Sequence, residues 1–204
     1  MTGIILSGGR SRRMGENKAF FKLNGERLID RVVRIFQSLF SEVIIVTTAP
    51  LDYLDQKATV VMDILPVRAS LGGIYTGLFH STDEKAFVAA CDMPFLNKAF
   101  ITHLINLSPG YDIVVPVVPE GFHPLHAIYD RRCLHAIRRR LDRGHLKTIA
   151  ETSRRLDPNL KVTAFYPGHR LLTIPPEICR RFDPELRMFW NLNTHKDMEG
   201  FMEP

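Results

Sequence analysis

Cysteine is scarce in this chain: Cys91, Cys133 and Cys179 are the only three in 204 residues. They are far apart, odd in number and without metal-ligand spacing, which excludes a disulfide framework and a cysteine-built zinc site. Such usage fits a reducing compartment, and the expected location is cytoplasmic. No run approaches the ~20 apolar residues of a membrane span. Met1-Thr2-Gly3 leads straight into an apolar segment without the pattern of a signal peptide, so no membrane association is expected. A Walker A loop is also missing, because it needs lysine directly after its second glycine. Here Gly9 and Gly15 are six apart, Lys18 comes three later, and Ala19 stands where the hydroxyl should be. The dinucleotide fingerprint fails as well, since Gly8-Gly9 followed by Gly15 breaks its spacing. No Ser-His-Asp or Cys-His arrangement stands out, and there is no repeat or low-complexity stretch.

The remainder reads as an ordinary globular protein. Apolar residues make up 45% and charged residues 24% of the chain, so one α/β domain spanning residues 1–204 is expected. A net charge of +5 favours anionic partners. The basic clusters (Arg12-Arg13, Arg138-Arg139-Arg140, Arg154-Arg155 and Arg180-Arg181) are short and not interleaved with aromatics, which argues against a nucleic-acid platform. Apolar runs predict strands at 3–6, 42–47, 59–63, 86–91, 113–118 and 125–129, with a later one near 161–166. Amphipathic patterns predict helices at 28–40, 73–80, 98–107, 131–141 and 146–154. Residues 116–124 and 175–184 are proline-rich and read as loops. Arg143-Gly144-His145-Leu146-Lys147 reads as a break between two helices, or a clamp for a phosphate. Trp190 reads as packing at the sheet's edge, and Cys91 as a buried thiol. Strands alternating with helices predict a doubly wound, mainly parallel sheet covered on both faces. Ligands then bind beyond the carboxyl ends of the strands, so Ser7-Gly8-Gly9, Asp63 and Asp92 are expected to open onto one crevice.

The segment Leu6-Ser7-Gly8-Gly9-Arg10-Ser11-Arg12-Arg13-Met14-Gly15-Glu16-Asn17-Lys18 carries the strongest functional signal. Glycines at 8, 9 and 15 allow positive φ and close approach to a ligand. Backbone N–H groups and the surrounding cations then make an anion nest suited to phosphate. Asp92 follows the apolar run Phe87-Val88-Ala89-Ala90-Cys91 and precedes Met93-Pro94. A carboxylate fixed at a strand end suits Mg²⁺, which takes one or two carboxylates and fills its shell with phosphate oxygens and water. The competing reading is a helix-capping aspartate for the segment starting at Phe95.

Taken together, Leu6-Ser7-Gly8-Gly9-x-Ser11-x-Arg13-Met14-Gly15-x-x-Lys18 resembles the signature of nucleotidyltransferases, and within them the molybdenum cofactor guanylyltransferase family. Cys91-Asp92-Met93-Pro94, His123-Pro124-Leu125-His126-Ala127 and Asn191-Leu192-Asn193-Thr194 add to the resemblance, which covers nearly the whole chain. It implies the nucleotide-diphospho-sugar-transferase-like, Rossmann-like sheet with one antiparallel strand. The implied reaction is Mg²⁺-dependent transfer of GMP from GTP to the molybdopterin-bound cofactor, giving the guanine dinucleotide form and pyrophosphate. Carried over, Leu6, Ser7, Gly8, Gly9, Arg13, Gly15 and Lys18 bind the nucleotide, with Asp63 near the guanine edge and Asp92 holding the metal. Lys18, Arg13 and Asp92 form the catalytic set. Ser70 and His123 face the acceptor, and Asn191 and Asn193 the acceptor phosphate or the metal. Transient contact with cofactor-synthesis or molybdoenzyme partners is also implied.

The implied chemistry needs no protein nucleophile, only positioning and charge neutralisation. Related cytidylyltransferases usually carry Ala-Ala-Gly where this chain has Ser7-Gly8-Gly9. A Cβ at Gly8 would narrow a purine pocket, which favours GTP over CTP. Two departures bear on the acceptor. Ala69-Ser70-Leu71-Gly72-Gly73 stands in place of Gly-Pro-Leu-x-Gly, and Asn193-Thr194-His195-Lys196-Asp197 in place of Asn-Thr-Pro-Glu-Asp. Two alternatives remain: cytidylyl or other nucleotidyl transfer to a different phosphorylated acceptor, and a non-catalytic carrier of the pterin cofactor.

Overall fold

The computed structural model describes residues 1–8, 17–65, 69–150 and 158–192, the side chains of 144–150 and 159 apart. Gly9, Arg13, Gly15 and Asn193 of the expected site lie outside the described residues.

The β-strands are β1 (Thr2–Ser7), β2 (Lys22–Leu23), β3 (Glu26–Arg27), β4 (Glu42–Thr47), β5 (Thr59–Met62), β6 (Lys85–Ala90), β7 (Ile113–Val118), β8 (Gly121–Phe122), β9 (His126–Asp130) and β10 (Leu171–Ile174). The α-helices are α1 (Leu28–Gln37), α2 (Ser70–His80), α3 (Lys98–Leu107), α4 (Leu134–Ala150) and α5 (Pro176–Phe182). The main sheet runs β10-β7-β9-β6-β1-β4-β5, with β8 paired to β7. The β6–β1, β1–β4 and β4–β5 pairs are parallel, whereas β9 is antiparallel to both β6 and β7. The expected mainly parallel sheet with an antiparallel strand is therefore present, and the short β8 adds a third antiparallel pairing.

β1 is buried along its whole length, so its side chains serve two cores. Ile5 faces a cluster with Ile29, Val32 and Phe36 of α1 and Phe100, Ile101 and Leu104 of α3. Ile4 and Leu6 face a second cluster with Leu71, Ile74 and Leu78 of α2 and Ile137 and Leu141 of α4. This alternation follows from the two-residue period of a strand and makes a sheet with helices on both faces. α2 comes unusually close: a Cβ on Gly77 would lie 2.5 Å from Ile4 Cγ2.

Four local expectations are corrected. Residues 161–166 form no strand; Val162–Phe165 is a short 3-10 turn with Val162 and Phe165 buried. The strand comes after Gly168, whose φ of +90° turns the chain, and β10 then pairs parallel with β7. The helices expected at 131–141 and 146–154 are joined: α4 runs unbroken through Gly144, which a helix tolerates at about 1 kcal/mol relative to alanine. The proline-rich stretch at 175–184 contains α5, with proline where a helix start accepts it. Pro116 lies inside β7 rather than in a loop.

The Gly77 contact generates a test. Gly77→Ala drives a methyl into Ile4 and is expected to destabilise the fold by about 1–3 kcal/mol, read as a lower Tm. An unchanged Tm would contradict the close packing of α2 on β1.

Candidate nucleotide-binding site

Strand register builds the site. Leu6 pairs with Ala90 of β6 and Val46 of β4, and Thr47 pairs with Met62 of β5. The Cys91 N–H donates to the Leu6 carbonyl at 3.0 Å and the Asp63 N–H to the Thr47 carbonyl at 3.1 Å, carrying the ladder past the strand ends. Counting one residue on, Asp92, Gly8, Thr48 and Asp63 stand in one row at the carboxyl edge. Because β9 is antiparallel and begins at His126, opposite Ala89, the turn before it, closed by the His126 N–H donating to the His123 carbonyl at 3.1 Å, lies towards the same edge. Three strand spacings separate Asp92 from Asp63, about 14 Å. Of the residues expected to share one crevice, Ser7, Gly8, Asp63 and Asp92 lie at one edge, and Gly9 is outside the described residues.

Asp92 sits half-buried on a turn. Burial pushes its carboxyl above the usual range, and the nearby Lys18 ammonium partly offsets this. Asp92 does not cap α3. That cap is Asn97, whose side chain accepts from the Phe100 N–H at 3.0 Å. Lys18 begins a short 3-10 turn capped by Asn17, which accepts from the Ala19 N–H at 3.2 Å. The loop signature therefore delivers a cation beside the strand-end carboxylate.

Gly8 is exposed and not in left-handed backbone, and among the described residues a Cβ there would meet nothing nearer than the Thr48 nitrogen at 4.0 Å. The expectation that Gly8 uses positive φ is therefore corrected. Neither conformation nor packing demands glycine at this position. Ser7 is buried and bonded to the Tyr53 hydroxyl, while Leu6 packs into the core behind.

At the other end of the row, Asp63 Oδ1 accepts from Thr76 Oγ1 at 2.7 Å and from the Leu65 N–H at 3.4 Å. Burial pushes its carboxyl up. Both bonds fall on Oδ1. Thr76 is fully buried on α2 and also accepts from the Ile64 N–H. Ser70 opens α2 and is exposed. It lies one turn before Gly73, which backs onto Leu6. That places Ser70 over the ends of β1 and β4, away from His123 and Asn191, with which the sequence grouped it.

The opposite end is built by the C-terminal segment. The Leu192 N–H donates to the Asp92 carbonyl at 2.9 Å, and Leu192 is buried with Phe21, Leu23 and Leu28. Asn191, exposed, is thereby held beside Asp92. The half-buried His123 ring lies 4.6 Å from that of Phe189, and burial lowers its pKa. His126 is fully buried among Phe87, Phe100 and Phe189 and pushed down to about 3, so it stays neutral. Trp190 is not core packing: it is 39% exposed, with the Arg187 guanidinium 5.8 Å from its ring. Burial raises the Cys91 thiol to about 12, which keeps it protonated and inert.

Sequence reasoning missed Tyr53, Thr76 and Asn17. Thr76 left a signal, a hydroxyl on the apolar face of a buried helix. Tyr53 left none.

The chain matches the MobA-like NTP transferase domain over residues 3–157. It belongs to that family. A molybdenum cofactor guanylyltransferase from Desulfosudis oleivorans is 41% identical over 201 residues, covering 98% of this chain and 93% of the relative. A probable molybdenum cofactor guanylyltransferase from Natranaerobius thermophilus is 33% identical, covering 98% and 93%. Among solved structures, molybdopterin-guanine dinucleotide biosynthesis protein A from Archaeoglobus fulgidus superposes with a TM-score of 0.78 at 27% identity. That match covers 99% of this chain and 97% of that one. The chain is a nucleotidyltransferase of the nucleotide-diphospho-sugar transferase fold, and members of its family typically use a divalent metal. Among the described residues, no helix is long and apolar enough to cross a membrane.

The raised carboxyl of Asp92 has two measurable consequences. A buried carboxylate whose pKa is raised opposes folding at neutral pH, because its ionised form is the disfavoured one. Asp92→Asn is therefore expected to hold or raise Tm while lowering transfer about 100-fold or more, the scale of losing one preorganised charge contact. If the ionised carboxylate holds the metal, activity is expected to fall as pH drops through the raised pKa. Lys18→Ala removes the offsetting cation and is expected to move that acid limb to higher pH. A limb that stays in place or moves to lower pH would contradict the pairing.

Proposed function

We propose that this protein transfers GMP from GTP to the molybdopterin-bound molybdenum cofactor, yielding the guanine dinucleotide form and pyrophosphate. Its curated relatives across the whole chain carry that activity in their names. The observation that carries the reading is the single row at the carboxyl edge, with a half-buried carboxylate at each end, Gly8 between them and the Lys18 ammonium near Asp92. The guanine lies at the Asp63 end. Oδ1 is committed to Thr76 and Leu65, and Oδ2 is placed to accept from the ring N1–H and amino group. The triphosphate runs past Gly8 towards Lys18 and Asp92, with Gly9, Arg13 and Gly15 completing its cradle. The acceptor approaches from the side of Asn191, Asn193 and His123. Ser70, over the end of β1, belongs on this reading to the nucleotide rather than the acceptor.

The reaction is an in-line displacement. An acceptor phosphate oxygen forms a bond to the α-phosphorus, and the bond from that phosphorus to the bridging oxygen breaks. The electron pair departs with pyrophosphate. A phosphate acceptor is already ionised near neutral pH, so no general base is needed. Lys18 and Arg13 offset charge growing on the leaving group, and the row holds the reactants in line. Asp92 is suited to hold Mg²⁺, which is usually bound through one or two carboxylates together with substrate phosphate oxygens and water. When bound, it would polarise the α-phosphate. We place the enzyme in the cytoplasm with these soluble substrates.

The deciding experiment follows pyrophosphate release from each of the four common nucleoside triphosphates, with Mg²⁺ and molybdate-loaded molybdopterin. Release with GTP alone, lost when the pterin is omitted, is expected. Release with CTP instead would keep the fold and chemistry but overturn the guanine assignment. Gly8→Ala sharpens the point. With nothing among the described residues nearer its methyl than the Thr48 nitrogen at 4.0 Å, Tm should hold while GTP turnover falls more than any residual CTP turnover. Equal losses would contradict a purine clearance at Gly8.

A further inference from the structure

Tyr53 lies in a 3-10 turn after β4, fully buried, with its ring 5.1 Å from that of Phe20. A buried tyrosine in a core needs some partner for its hydroxyl. The choice of partners is what carries information here. Its Oη is 2.6 Å from Ser7 Oγ, where either hydroxyl can donate, and accepts from Asn17 Nδ2 at 2.9 Å. Ser7 is the last residue of β1, one step past the Leu6 carbonyl that takes the Cys91 N–H. The Ser7 bond therefore fixes the hydroxyl relative to the strand end that carries Asp92. Asn17 is the cap of the turn that begins with Lys18. Its amide is fully oriented, because Nδ2 donates to Tyr53 and Oδ1 accepts from the Ala19 N–H. One hydroxyl thus ties the frame of Asp92 to the frame of Lys18.

We propose that Tyr53 is a positioning residue for nucleotidyl transfer, its hydroxyl setting where the Lys18 ammonium stands relative to Asp92. The proposal rests on the guanylyl-transfer reading above. It assigns Tyr53 no contact with substrate. It makes the 3-10 turn after β4, outside every motif of the signature, part of what aligns the phosphate end of the site. Near-attack geometry is sensitive to displacements of about an ångström, so a loosened lysine lowers turnover even when GTP still binds.

Tyr53→Phe keeps the ring and removes the link. The expected result is a kcat lowered about tenfold, a KM for GTP changed less than threefold and a melting temperature within a few degrees of wild type. Loss of a merely structural tyrosine could also slow the enzyme, so the deciding readout is coupling. Lys18→Ala is expected to lower kcat about tenfold less in the Tyr53→Phe background than in wild type, because the lysine is already misplaced there. Asp63→Ala, at the far end of the row, is expected to act independently of Tyr53→Phe. Asn17→Ala cuts the same link from its half-buried side and should reproduce the coupling if Tyr53→Phe fails to fold. Independent effects of Tyr53→Phe and Lys18→Ala, or equal coupling to Lys18 and Asp63, would overturn the proposal while the transfer reading stands. A wild-type enzyme that releases no pyrophosphate from GTP would overturn both.

Discussion

The parallel ladder of β1 with β6 and β4 is the constraint on which the rest depends. Its register places Asp92, Gly8 and Thr48 level, and the β4–β5 pairing extends the row to Asp63. A slip of one residue would send every side chain of β1 to the wrong face, exchanging Ile5 for Ile4 and Leu6 between two separate cores. Burial on both sides therefore fixes the register, and the register fixes the site. Gly8, Asp63 and Asp92 lie within two residues of the ends of their strands.

The antiparallel β9 completes this arrangement. A further parallel strand beside β6 would deliver its first residues to the opposite edge. Running the other way, β9 brings His123 to the edge where Asp92 lies. Phe189 then packs on both His123 and His126, and Leu192 closes onto Asp92 through its N–H. One side of Asp92 is thus furnished by the signature segment and the other by the C-terminal segment. That division matches the need to bring two phosphorylated substrates together. The buried, neutral His126 explains part of the histidine pair in the sequence: it packs among aromatic rings and carries no charge into the site.

The parts legible in the sequence were those with local causes. A four- to six-residue apolar run bounded by polar residues marks a strand, and the residue after it marks the edge; this is why Asp63 and Asp92 could be placed. The loop signature pointed to phosphate through glycine and cations, although Gly8 does not take a left-handed backbone. The misplaced elements had competing causes. At 161–166 a short apolar pattern served a 3-10 turn, and a glycine turn deferred the strand to Leu171. Gly144 looked like a break and was absorbed by a long helix. Tyr53, Asn17 and Thr76 are tied in by the hydrogen bonds Ser7–Tyr53, Asn17–Tyr53 and Thr76–Asp63, which join residues 46, 36 and 13 apart in sequence. Such bonds have no periodicity or motif, so only the folded arrangement displays them.

The central claim is directional, with guanine at the Asp63 end of the row and the phosphates at the Lys18 and Asp92 end. A crystal structure with a GTP analogue whose α–β bridging oxygen is replaced by carbon tests it most directly, because that analogue binds without being cleaved. The account predicts the base edge on Asp63 Oδ2 and the phosphate chain passing Gly8 to reach Lys18. A base seated against His123 or Asn191, with phosphates near Asp63, would contradict it.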